Sequence, residues 1–223
     1  MLFAGYLKAD TSQLTADDIF YECEVRIPNN EVRRLYNSFF KELFMGSCLD
    51  TTQYASFLNH LIDDNVSLFS RDLTIYLLHT VSAFDTKSSK KSEGFYHGFV
   101  LAMLASINDR YYIRSNRESG YGRYEVLLIP KEGPKALLLE FKQVGKEEEL
   151  ENAAKLALDQ IQGQFYHTEL LQYPHVQEVV EVGMAFSRKE VIAAYSVYDL
   201  VNNQATPVQL TSRYSEEDID VIY

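Results

Sequence analysis

A mixed α/β fold, in which helices flank a central sheet and a strand pair with a helical block precedes it, is the class this sequence predicts. Three observations lead there. After residue 93 the segments run helix, three strands, long helix, two strands, an order that yields a mixed sheet covered by helices. The string Ala136-Leu137-Leu138-Leu139 is apolar on both faces, as in a central strand of a covered sheet. A hydrophobic fraction of 46% and an aromatic fraction of 13% over 223 residues supply the apolar surface for a packed core.

Each element has a local reason. Residues 2–8 and 19–27 read as strands, because Tyr21, Cys23, Val25 and Ile27 alternate with Glu22, Glu24 and Arg26. Pro28-Asn29-Asn30-Glu31 starts a helix with an Asn cap and an acid in its first turn, continued by Val32, Leu35, Tyr36, Phe39, Phe40 and Leu43. Thr51 or Thr52 caps a second helix carrying Tyr54, Phe57, Leu58 and Leu61, and a third spans about 67–83. Residues 85–92 are polar and rich in Ser and Lys, and they read as a loop or linker. A helix follows from Glu93, with Glu93, His97, Val100 or Leu101, and Leu104 on one face. Strands are expected at about 110–115, 122–130 and 135–143. The acidic run after Lys146 then opens a helix to about His167, since acids favour a helix N-terminus. Strands at about 178–187 and 190–198 complete the core. The expected organisation is an N-terminal region over 1–88, a core over 89–200 and a C-terminal extension over 201–223.

Charge and composition exclude several classes. The longest apolar run, Phe99 to Ile107, is too short to span a bilayer, and no signal peptide is visible, so a cytoplasmic protein without a membrane partner is expected. Cys23 and Cys48 are too few for a disulfide framework and lack metal-ligand spacing. A net charge of −11 argues against non-specific nucleic-acid binding by the whole surface. Between Arg110 and Lys146, however, eight basic residues stand against four acids, Glu118, Glu125, Glu132 and Glu140. That local excess suits a phosphate-bearing substrate.

Two of those acids lie in the most informative motif. Arg123-Tyr124-Glu125 and Glu140-Phe141-Lys142 fall on adjacent strands joined by the turn Lys131-Glu132-Gly133-Pro134. Side chains two apart share a strand face, so Glu140 and Lys142 project together while Phe141 points the other way. If the hairpin folds at that turn, Glu125 lies near Glu140. Two hard oxygen ligands beside an ammonium suit a Mg2+ ion next to a phosphodiester. The bland reading of Glu-x-Lys is a solvated ion pair, but charges emerging from a buried strand are costly unless they have partners or a role. No Gly-x-Ser-x-Gly occurs, which removes the common serine-hydrolase signature.

With these strings in this order, residues 93–200 resemble the PD-(D/E)XK nuclease superfamily. They are closer still to the nuclease-like domain found behind an AAA-ATPase-like domain in many bacterial proteins. The resemblance rests on Glu93-Gly94-Phe95-Tyr96-His97-Gly98-Phe99, Ser119-Gly120-Tyr121-Gly122-Arg123-Tyr124-Glu125, Leu139-Glu140-Phe141-Lys142, and Ala157-Leu158-Asp159-Gln160-Ile161 followed by Tyr166. Phe3-Ala4-Gly5-Tyr6-Leu7 and Ile27-Pro28-Asn29-Asn30-Glu31-Val32 are similar to the segment that precedes that domain. The resemblance implies a restriction-endonuclease-like core and Mg2+ or Mn2+ held by Glu125 and Glu140, with Glu93 completing the site. It implies Lys142 as the residue that orients or helps deprotonate the attacking water. Gln160, Tyr166, Arg123 and His97 would support the site or touch the substrate backbone. Gln162 shares a helix face with Tyr166, so the inward glutamine is left open between 160 and 162, and a lone His97 on an apolar face also fits a core histidine. The superfamily usually has Asp where this chain has Glu125. Glutamate remains an oxygen ligand, so the extra methylene bears on turnover more than on metal binding.

Two functions follow. The first is a metal-dependent nuclease acting on DNA, with RNA as the other substrate. The second is a nuclease-fold module without turnover that binds nucleic acid or a protein, in which the N-terminal block mediates a homodimer or a partner contact. No Gly-x-x-x-x-Gly-Lys-Ser/Thr string occurs, so an ATPase-like half would be a partner or a separate domain.

Overall fold

The structure, a computed structural model, describes residues 8–14, 21–35, 38, 51–80, 89–119, 122–164 and 166–214. It divides into two compact units, residues 1–43 and 44–223. In the first, β1 (Lys8–Leu14) pairs antiparallel with β2 (Tyr21–Arg26). The expected strand at 2–8 lies outside the described residues except for Lys8, and the strand that forms runs from Lys8 onward. Residues 30–35 are helical, and the Asn29 side chain accepts from the Val32 N–H at 2.9 Å, the expected cap. The helix expected through Leu43 otherwise lies outside the described residues, apart from Ser38.

The second unit is built on a seven-stranded sheet. Its strands are β3 (Tyr111–Ser119), β4 (Gly122–Pro130), β5 (Lys135–Gln143), β6 (Glu178–Ser187), β7 (Glu190–Asp199), β8 (Gln204–Ala205) and β9 (Gln209–Leu210). The order is β3-β4-β5-β6-β7-β8, with β9 on β7; β5 and β6 are parallel and the other pairings are antiparallel. The mixed sheet flanked by helices is therefore the restriction-endonuclease-like arrangement expected. Helices α1 (Thr51–Ile62) and α2 (Val66–Thr80) belong to this larger unit, where α2 packs against β7 and the Ser70 hydroxyl donates to the Val191 carbonyl at 3.3 Å. The two helices pack on each other, and α2 covers β7 with its apolar face.

Helix α3 (Ser89–Leu104) takes up residues 89–92, which the composition assigns to a loop; residues 85–88 lie outside the described residues. It crosses one face of the sheet, where Tyr96 stacks on Phe186 at 4.4 Å and His97 meets Phe141 edge-on. Helix α4 (Leu150–Gly163) crosses the other face, burying Leu150, Ala153, Ala154, Ala157, Leu158 and Ile161. It stops at Gly163, short of the expected His167, because glycine is a poor helix former, and a 3-10 segment, Tyr166–Gln172, follows. Glycine has a second use at Gly183 on β6: a Cβ there would lie 2.3 Å from the Leu158 nitrogen and 2.4 Å from the Ala154 carbonyl. Only glycine admits so close a helix–strand contact.

Burial pushes the Tyr96 hydroxyl from 10.0 up to about 12. Above pH 10 the unfolded chain releases this proton while the folded chain keeps it, so stability falls from there and the contribution is lost once pH passes about 12. A shift of this size amounts to ~3 kcal/mol. Urea unfolding midpoints measured across that window are expected to fall less steeply for Tyr96→Phe than for the wild type.

Candidate active site

The β4–β5 ladder pairs Leu128 with Leu137, Leu127 with Leu138 and Val126 with Leu139, and ends there. Glu125 and Glu140 stand at the next level, where the two strands part. On β5, alternation sends Glu140 and Lys142 to the α4 face and Phe141 to the α3 face, as expected. Glu140 is only 2% exposed, and its β6 neighbour in register is Gly183. The close approach of α4 at Gly183 sets Gln160 over the pair. Gln160 Nε2 donates to Glu140 Oε1 at 2.6 Å, and its Oε1 accepts from Lys142 Nζ at 2.6 Å. Lys142 Nζ stands 3.9 Å from Glu140 Oε1 and is part-exposed, so the ammonium faces both the buried carboxylate and solvent. The inward glutamine is Gln160; Gln162 instead donates to Glu181 and Ser196 at 3.1 Å.

A break in alternation turns Glu125 off the sheet face that carries Glu140 and Lys142. Tyr124 packs in one cluster with Leu127 and Ile129, although strict period two would put position 124 on the opposite face. On β3 the register passes from Ser115↔Val126 to Arg117↔Tyr124 without pairing Asn116 to Glu125, and Asn116 is left-handed at φ 52. Irregularities of this kind re-aim side chains beside active sites. Here the Glu125 carboxylate turns to the α3 side and accepts from His97 Nδ1, while His97 Nε2 meets the Ser115 hydroxyl at 2.7 Å. His97 is therefore neither an isolated core histidine nor a solvent-facing one.

Tyr166 is brought in by the 3-10 segment, which is pinned to the sheet. Glu169 pairs with Arg114 and accepts from the Tyr124 hydroxyl at 2.7 Å, and Arg114 also donates to the Tyr173 hydroxyl at 2.6 Å. Tyr166 lies edge-on to Tyr124 at 5.9 Å, and a Cβ on Gly122 would come within 3.0 Å of its hydroxyl. Burial raises the Tyr166 pKa; a hydrogen bond with Gln160 opposes the rise, and the charges of Glu140 and Glu125 add to it.

Two candidates are placed only in part. Glu93 lies on α3 one turn before His97, and Arg123 lies on β4 opposite Glu118, but both side chains are outside the described residues. The basic window is less available than its composition suggests. Arg110 donates to Asn59, Arg114 binds Glu169, Lys131 donates to the Asn108 carbonyl, and Lys135 binds Asp64. Sequence reasoning missed Ser115, Asn116 and Gly183. Of these only Gly183, a glycine inside an apolar strand, carried a readable signal.

Among the described residues, no group of three or more His, Cys, Asp or Glu side chains is arranged to hold a metal ion. The donor set of Glu140 and Glu125 still suits Mg2+, which binds through one or two carboxylates and completes its shell with water and phosphate oxygens. No helix among the described residues is long and apolar enough to cross a membrane. No curated protein matches the chain. The model of the PD-(D/E)XK nuclease superfamily matches residues 91–195, from α3 to β7, and this segment, with Glu125, Glu140 and Lys142 inside it, belongs to that superfamily.

Proposed function

We propose that this domain is a Mg2+- or Mn2+-dependent nuclease that hydrolyses phosphodiester bonds in DNA. The observation that carries the reading is the Gln160 bridge between Glu140 and Lys142, at the end of the ladder where the strand bearing Glu125 parts from β5. Glu140 and Glu125 would hold the ion, with Glu93 as a further oxygen donor from α3. A bound divalent ion supplies charge neutralisation at the phosphate and a water of lowered pKa. Lys142 opposes the charge that develops on the scissile phosphate and orients the attacking water. Gln160 fixes the lysine by accepting from it, and so keeps the ammonium from closing onto Glu140. The Tyr166 hydroxyl, held protonated by burial and by the two carboxylates, remains a hydrogen-bond donor at neutral pH.

The test is cleavage of linear, circular and single-stranded DNA, with RNA alongside, in Mg2+ or Mn2+. Lys142→Ala is expected to lower kcat by roughly 10²–10⁴-fold. Cutting by the wild type that Lys142→Ala leaves intact would remove the lysine from the mechanism. No cutting with either ion in folded protein would overturn the nuclease and leave a binding module.

A further inference from the structure

We infer that Ser115 and Asn116 act through His97 as positioning residues for the Glu125 carboxylate. This inference rests on the proposed metal-dependent reading of the site. A glutamate side chain is long and rotamer-rich, so a carboxylate meant to hold an ion must have its direction fixed by neighbours. His97 supplies that neighbour. Its Nδ1 contacts Glu125 Oε2, and an ionised carboxylate only accepts, so Nδ1 carries the proton. The other ring nitrogen meets two groups from β3: the Ser115 hydroxyl at 2.7 Å and the Asn116 side-chain nitrogen at 3.5 Å. The Asn116 amide nitrogen can only donate and the Ser115 hydroxyl can donate, so both suit an accepting Nε2, the complement of a proton on Nδ1. The backbone explains how both residues reach one ring. Neighbours on a regular strand point to opposite faces, but the left-handed Asn116, φ 52, interrupts β3 opposite Glu125. The same irregularity that re-aims Glu125 thus delivers the groups that set the tautomer of its partner. His97 is 8% exposed and held edge-on by Phe141, so the ring has little freedom once its two nitrogens are engaged. Partners behind a ligand commonly change metal affinity by roughly 10–100-fold when removed.

The experiment combines two readouts on wild type, Ser115→Ala, Ser115→Thr, and Ser115→Ala in a Glu125→Asp background. The first is the 15N chemical shift pattern of His97, which needs neither metal nor activity. The second is Mn2+ affinity by calorimetry. The wild type is expected to show the Nδ1–H tautomer, with Ser115→Ala shifting it toward a mixture and weakening Mn2+ about tenfold. Ser115→Thr should restore both. Glu125→Asp draws the carboxylate back from His97 by one methylene and so loosens their contact, and Ser115→Ala should cost less than about twofold more in that background. An Nε2–H tautomer in the wild type, or Mn2+ affinity unchanged in Ser115→Ala, would overturn the relay. A wild type that binds no Mn2+ would overturn the metal-dependent reading and its positioning role, whereas the tautomer would still decide whether the hydrogen-bonded chain exists.

Discussion

Glu140→Gln is expected to lower cleavage by roughly 10³-fold or more while leaving the fold intact. The carboxylate is almost fully buried, and Gln160 donates to its Oε1. An amide oxygen at the same place still accepts that bond, so the substitution removes charge rather than shape. Burying an ionised carboxylate costs folding energy, and a neutral isostere relieves that cost. Stability of Glu140→Gln should therefore equal or exceed that of the wild type by up to ~2 kcal/mol. Paired urea unfolding and kcat/KM measurements check both halves. A variant that loses activity and also unfolds more easily would make Glu140 a structural residue.

Gly183→Ala is expected to be damaging far beyond its single methyl. The added Cβ would meet the Leu158 nitrogen, the Ala154 carbonyl at 2.4 Å and the Ala157 carbonyl carbon at 2.9 Å. These are backbone atoms, so no side chain can swing away; α4 must lift from the sheet. Overpacking of this kind costs ~1–3 kcal/mol or more, to be read from the unfolding midpoint. Gly183 is the register neighbour of Glu140, and Gln160 rides on the same helix, so activity should fall even in the folded fraction. Gly98→Ala on α3 is the contrast: nothing lies within 4 Å of its would-be Cβ, and the helix should gain ~0.5–1 kcal/mol. Equal effects at the two glycines would show that close packing at β6 does not set the position of α4.

What the sequence made legible follows from local rules. The β4–β5 hairpin, the shared face of Glu140 and Lys142, and the opposite direction of Phe141 all come from period two and a Gly-Pro turn. The Asn29 cap and the two apolar helices over 51–80 come from capping and from period 3.6. What stayed illegible depends on contacts distant in sequence. Gln160 and Gln162 flank the same buried stripe of α4, and only the seating of that helix on Gly183 decides which one meets Glu140. The left-handed Asn116 and the shift of alternation near Glu125 leave no pattern in composition, yet they aim the second carboxylate. The basic window from Arg110 to Lys146 counted charges that Glu169 and Asp64 had already taken, which no single-strand pattern could reveal.

The most direct test of the central proposal, that Glu140 and Glu125 together hold a catalytic divalent ion, is Mn2+ binding measured by calorimetry on the wild type and Glu140→Gln. Saturable binding in the wild type that Glu140→Gln loses, in parallel with cleavage, is the predicted result. Binding of equal affinity in both proteins would contradict it, because the ion would then sit away from the motif carboxylates.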